Sequence, residues 1–243
     1  MNLSDFSNNF DTLSNSYSRI GNFGDTMPDI RFDEHEKSVF LTQAQEEIVI
    51  SLYTGKNPYG ESFEQTEELR RYLAPLLEEA ELSPIESSNG KPIGMGSNST
   101  FFTLPNGSNR LPAVWFITYE SVAISNGKCE SMTSMDVYPV RQDEYNKIKK
   151  NPFRGANDRR ALRLDLSEGN VEIICKYPVT SYYLRYLRKP NPIVLSAMDS
   201  DAAIEGVITA TKCELPESLH QRILERAVIM ALQSKGININ ENK

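Results

Sequence analysis

Residues 182–195 read YYLRYLRKPNPIVL, and residues 213–220 read CELPESLH before running into a helical pattern that closes near Gly236. Aromatic residues interleaved with cations over 182–189 predict an extended segment, and 193–196 predict a return strand. Pro216 suits the first position of a helix, since its missing N–H has no partner there anyway. Leu219, Ile223, Ala227, Met230 and Ala231 line one side of that helix, with Val228 and Leu232 beside them. Arg222, Glu225 and Arg226 fall mostly on the other side. The stretch with the best specified architecture therefore carries no catalytic grouping.

Working back toward the start, residues 97–212 carry strand periodicity. Segments 100–104, 113–124, 131–140, 161–166, 170–177, 193–196 and 203–212 are short, rich in strand formers and bounded by turn residues. Asn106-Gly107 and Asn126-Gly127 are hairpin dipeptides. One short helix is expected over 143–150, ended by Asn151-Pro152. Earlier still, Asp33 and Glu36 form a capping box, and Phe40, Ala44, Ile48 and Leu52 recur every fourth residue up to Gly55. A second helix is expected after Ser62 and Gln65, with Leu69, Tyr72, Leu73, Leu76 and Leu77 as its apolar stripe and Pro75 kinking or splitting it. Residues 1–30 are rich in Asn, Ser, Asp and Gly, with isolated aromatics Phe6, Phe10, Tyr17 and Phe23. Such a stretch reads either as a solvated tail or as an arm ordered along a neighbouring subunit.

The predicted class is α+β, with helices from both chain ends packed together and a mostly antiparallel β-sheet or sandwich between them. The predicted divisions are an extended N-terminal arm at 1–30, a helical region at 31–88, a β-rich region at 89–212 and a C-terminal helix at 213–243 packed on the N-terminal helices.

The chain has 243 residues and a net charge of −7. Residues 1–100 hold 7 Lys/Arg and 17 Asp/Glu, a balance of −10, whereas residues 141–189 hold 12 and 6, a balance of +6. This segregation marks either two solvated faces or two poles suited to head-to-tail contact between copies. No apolar run is long enough to cross a membrane, and the first 24 residues lack the charged and apolar regions of a signal peptide. Cys129, Cys175 and Cys213 are widely spaced, with no CxxC, which fits reduced thiols better than a disulfide framework or zinc site.

Catalytic chemistry finds little support. There is no HExxH, GxSxG, P-loop or strand–GxGxxG–helix pattern, and His35 and His220 are the only histidines. The pairs Glu46-Glu47, Glu67-Glu68 and Glu78-Glu79 read as solvated helix surface. We expect no catalytic residue, no metal ligand and no cofactor. The remaining feature is basic and aromatic: Phe153, Arg154, Arg159 and Arg160, then Tyr182, Tyr183, Arg185, Tyr186, Arg188 and Lys189. This mixture fits a protein interface, where Tyr and Arg are enriched. It also fits single-stranded nucleic acid bound through segment 141–189. The acidic whole favours the interface reading.

Several phrases carry a resemblance. They are KSVFLTQAQEE at 37–47, Tyr138-Pro-Val with DEY at 143–145, NPF at 151–153, RRALRL at 159–164, and the two C-terminal stretches quoted first. Together, over roughly residues 31–236, they resemble a virion structural protein of crAss-like bacteriophages, tailed phages of gut Bacteroidota. The last segment is also similar to the C-terminal helix of head–tail adaptor and tail-tube gatekeeper proteins of short-tailed phages. The resemblance implies a non-enzymatic ring protein of the neck or tail, on the order of twelve copies in a closed ring. It implies the portal and adjacent neck or tail rings as partners, transient contact with genomic DNA in the channel, no membrane, and assembly in the bacterial host cytoplasm. Its implied roles are to connect head to tail and to line the channel used in genome ejection.

Overall fold

The structure is a computed structural model that describes residues 1–20, 31–56, 62–63, 65–85, 98–105, 114–125 and 133–237. In chain order its elements are α1 (Leu3–Ile20), α2 (Glu34–Thr54), α3 (Glu67–Leu73), β1 (Leu77–Leu82), β2 (Ser99–Thr103), β3 (Val114–Ile124), β4 (Thr133–Pro139), α4 (Gln142–Ile148), β5 (Arg160–Asp165), β6 (Asn170–Ile174), β7 (Val179–Arg188) and α5 (Glu217–Ser234). The class is α+β. They divide into two compact units, Met1–Leu76 with Pro190–Lys243, and Leu77–Lys189.

In the first unit α2 is the hub. The Asp33 carboxylate accepts from the Glu36 N–H at 2.6 Å, the Glu36 carboxylate accepts from the Asp33 N–H at 3.2 Å, and Gly55 at φ 78° ends the helix. Leu41, Ala44, Ile48, Val49 and Leu52 are buried because α1 and α5 both pack on it. A polar stripe at Ser38, Thr42 and Gln45 is buried as well, for a specific reason. Thr42 Oγ1 accepts from the Ile193 N–H at 3.1 Å, Ser38 Oγ accepts from the Leu195 N–H at 3.0 Å, and Gln45 Nε2 donates to the Asn191 carbonyl at 2.9 Å. Segment 193–196, expected as a strand, is therefore satisfied by helix side chains rather than by a ladder. Only isolated bridges join Val194 to Thr211 and Ile204 to Val207, so 203–212 is not a strand either.

The extended arm expected at 1–30 is replaced over Leu3–Ile20 by α1. Phe6, Phe10 and Ser14, four residues apart, form its buried stripe. The Phe6 ring lies 5.2 Å from His220 of α5, and Phe10 meets Phe32 edge-on at 5.6 Å. Lys37, almost wholly buried on α2, donates to Asp11 at 2.7 Å and Ser7 at 3.0 Å on α1. These aromatics anchor the helix to its own chain. In α5, Leu219, Ile223, Leu224, Ala227, Val228, Ala231 and Leu232 are buried, and Arg226 grips Glu47 of α2 with two bonds of 2.7 and 2.8 Å. Pro216 is the N-cap of α5, one residue before the position expected, and Gly236 adopts φ 81° just beyond its end.

The second unit is one seven-stranded sheet, ordered β1-β7-β3-β4-β5-β6-β2, antiparallel except for β4 and β5. That parallel pair requires a crossover, and α4 supplies it. Inward side chains of all seven strands share one core, among them Ala80, Phe102, Val122, Val137, Ala161, Ile173 and Leu184. The sheet curls rather than splitting into a sandwich. The Phe102 and Tyr182 rings lie 5.4 Å apart although their strands are five places apart in the order, and the Ile85 N–H donates to the Phe101 carbonyl at 2.8 Å. Leu77–Leu82, expected to continue a helix past Pro75, is strand β1 instead, after a single 3₁₀ turn at Ala74–Leu76. The hairpin dipeptides Asn106-Gly107 and Asn126-Gly127, the loop glycines at 90, 94 and 96, Phe23 and Cys129 lie outside the described residues.

Candidate subunit interface

Strand β7 sorts the basic aromatic run into two groups. Tyr182, Leu184 and Tyr186 point into the barrel-like core, whereas Tyr183 and Arg185 point outward. Tyr182 is fully buried, and its hydroxyl donates to Glu120 Oε2 at 2.7 Å. Arg163 Nη1 donates to the same oxygen at 2.9 Å, and Arg163 Nε lies 3.0 Å from Asp165. Burial pushes the Glu120 carboxyl up, against the opposing pull of Arg163 and of the Tyr182 hydroxyl. Burial, with the Glu120 charge, drives the Tyr182 phenol far up as well. Tyr186 donates to Glu78 Oε2 at 2.9 Å, and its phenol is pushed up to about 12 by burial and by that carboxylate. Arg188 Nε pairs with the other Glu78 oxygen at 2.9 Å. Of the residues expected at a subunit interface, Tyr182, Tyr186 and Arg188 are thus engaged within the chain, and Lys189 is half-buried.

Tyr183 and Arg185 belong to a cleft of about 360 Å³ on the outer face of β1, β7 and β3, lined also by Glu79, Ala80, Glu81, Tyr119 and Leu184. Register explains the grouping: Glu79 and Tyr119 flank Arg185, and Glu81 flanks Tyr183. Arg185 Nε pairs with Glu79 at 2.8 Å. The Tyr183 hydroxyl bonds the Glu81 carboxylate, the main influence raising its pKa. Tyr119 is half exposed. Two carboxylates against one guanidinium give the cleft a negative balance.

The second group, Phe153, Arg154, Arg159 and Arg160, lies on the connection from α4 to β5 and at the first residue of β5. Tyr145 of α4 is buried against Leu162, Leu164 and Ile174, which fixes the base of that connection. Asn151 then ties the loop down. Its side-chain oxygen accepts from the Phe153 N–H at 2.9 Å and the Arg154 N–H at 3.3 Å, and its carbonyl accepts from the Gly155 N–H at 2.7 Å. A Cβ at position 155 would sit 2.9 Å from that carbonyl, so only glycine fits. Arg160 donates to the Phe153 carbonyl at 3.0 Å, and its guanidinium lies 4.2 Å over the Tyr138 ring. The result is a tied loop that holds Phe153 83% exposed, with Lys149, Lys150, Arg154 and Arg159 also exposed in the flanking sequence.

The pair Glu78-Glu79, expected on a solvated helix surface, instead lies on strand β1, where Glu78 meets Tyr186 and Arg188 and Glu79 meets Arg185. The grouping of Glu79 with Glu81 and Tyr119 depends on cross-strand register, which the sequence does not display. The one usable signal was the odd–even alternation of 182–186. Among the described residues no cluster of His, Cys, Asp or Glu could hold a metal ion. Burial pushes the Cys175 thiol up and the Cys213 thiol to about 11, away from the reactive thiolate. His220 is buried, with Nε2 2.8 Å from the Leu215 carbonyl.

An exposed basic loop and an acidic aromatic cleft are features that a protein interface can use. Residues 1–243 match the family described as phage tail ring protein 3/4. The chain is 43% identical over 238 residues to ring protein 3 of Bacteroides phage crAss001, covering 97% of this chain and 96% of the relative. It is 28% identical over 240 residues to ring protein 4/5 of the same phage, covering 95% and 92%. The chain belongs to the phage tail ring protein 3/4 family of crAss-like phages, and is a structural ring component of the virion tail.

Proposed function

We propose that copies of this chain close into a ring of on the order of twelve subunits that joins portal to tail and lines the DNA channel. The observation that carries this reading is the match to the ring family along the whole chain. The build of the surface agrees with it. A closed ring needs two different, complementary patches on each subunit. The outer face of the barrel-like unit offers an acidic aromatic cleft and a basic aromatic loop. The net charge of −7 suits a channel wall, because it repels the DNA backbone and lets it slide. In this reading the ring assembles in the host cytoplasm on the portal or a neighbouring ring and remains in the virion through genome ejection.

Nucleic-acid binding through 141–189 is the weaker reading. Several of its cations, Arg163, Lys176, Arg185 and Arg188, already face carboxylates of the same chain. Cryo-electron microscopy of the virion neck tests the leading reading directly. The expected result is a closed ring of this chain between portal and tail, with its bore open to the DNA. Its location in a tail fibre, or off the channel axis, would overturn the reading.

A further inference from the structure

We propose that the Phe153 loop of one copy docks into the cleft formed by Glu79, Glu81, Tyr119 and Tyr183 of the next copy. This inference rests on the ring reading and names the contact that builds the ring. Three observations support it. The first is charge: Lys149, Lys150, Arg154 and Arg159 are exposed in the sequence flanking Phe153, whereas Glu79 and Glu81 outnumber Arg185 in the cleft.

The second is shape and composition. A cleft of about 360 Å³ lies within the range of pockets that bury small ligands, so it has room for a phenyl ring. Tyr119 and Tyr183 offer that ring aromatic walls, and Glu79 and Glu81 offer Arg154 an acidic rim. Tyr and Arg are the residue types enriched at interface hot spots. The loop is also tied in place by Asn151, Gly155 and Arg160, so little conformational freedom is lost on docking.

The third is placement. The cleft is centred on β7, and the loop enters β5, three strands further along a sheet of seven that curls on itself. The two features are therefore separate patches, three strands apart on a curled sheet. Each copy can engage one neighbour through its loop and another through its cleft. The two patches make a heterologous contact that repeats from copy to copy until the ring closes.

The experiment has two arms on the full chain. In the first, p-benzoylphenylalanine replaces Phe153, and concentrated protein and isolated tails are irradiated. The expected product is an inter-chain adduct mapped by mass spectrometry to residues 79–81, 119 or 183. Adducts confined to other positions of a neighbouring copy overturn the contact and leave the ring reading standing. In the second, a loop variant (Phe153→Ala with Arg154→Glu) and a cleft variant (Tyr119→Ala with Glu81→Lys) are followed by mass photometry. Circular dichroism and melting curves confirm that both fold. Each alone is expected to self-associate at least about tenfold more weakly than the wild type, and a 1:1 mixture to stop at dimers. In that dimer the intact cleft of one variant holds the intact loop of the other. Variants that assemble like the wild type, or a mixture that forms no dimer, overturn the pairing. A wild type that stays monomeric both free and on portal rings overturns the ring reading as well.

Discussion

At the scale of single residues, the Glu120–Arg163–Tyr182 group is the most consequential feature of the barrel-like unit. Both charges are about nine-tenths buried, and each is tolerable only because the other is within 2.9 Å. Arg163→Met should leave Glu120 buried without its cation and cost about 3–5 kcal/mol. Tyr182→Phe removes one hydroxyl donor and should cost about 1–3 kcal/mol. Urea unfolding checks the order, and an Arg163→Met variant as stable as the wild type would refute it. His220 is the second case. Burial is the largest influence on it and holds its pKa below 6.5. The unfolded chain then takes up a proton on this ring at a pH where the folded chain does not. Stability from this group is full above pH 6.5 and falls as the pH drops below it. His220→Gln should therefore give a shallower loss of urea midpoint than the wild type between pH 7 and pH 5.

At the scale of elements, the polar stripe of α2 determines the path of residues 191–195. Thr42→Val is nearly isosteric yet leaves the buried Ile193 N–H without its acceptor, so it should cost about 1–3 kcal/mol. Thr54→Val, at an exposed site where the hydroxyl only bonds its own helix, is the control and should change little. Helix α5 supplies much of the apolar face on which α1 and α2 rest. Truncation before Leu215 should destroy the folding of the helical unit, seen as lost helical circular dichroism and rapid proteolysis of residues 1–76. The same scale shows why parts of the chain were legible and others not. The capping box of α2, the strands β3 to β6 and α5 carry local signals strong enough to read directly. Helix α1 does not, because Asn, Ser and Asp are weak helix formers, and its helicity comes from burying Phe6 and Phe10. Strand β1 reads LEEAEL, a good helix sequence, and becomes a strand because β7 offers it a ladder and a row of cations.

At the scale of the whole molecule, the proposed contact between copies has a definite salt dependence. If loop and cleft attract each other across copies, the association is screened by salt. The Debye length falls from roughly 10 Å at 0.1 M to 3 Å at 1 M. Ring formation, or retention of this chain on isolated tails, should weaken markedly over that range, as read by mass photometry at each salt concentration. Salt-independent association would overturn the charge complementarity proposed between loop and cleft. Charge reversal at Arg185 is a poorer probe than at Arg154, because Arg185 already pairs with Glu79 in its own cleft.

The sequence by itself determined the α+β class, the capped helix α2, the C-terminal helix α5, most of the strands and the resemblance to crAss-like virion proteins. All of these rest on local periodicity, capping chemistry or phrases read in order along the chain. The tertiary structure alone decided which tyrosines and arginines face outward. Tyr182 and Tyr183 are neighbours of the same type, yet one donates to a buried carboxylate and the other lines an open cleft. Strand alternation, sheet curl and the register with β1 and β3 set that difference, and they depend on residues about 60 to 100 positions away.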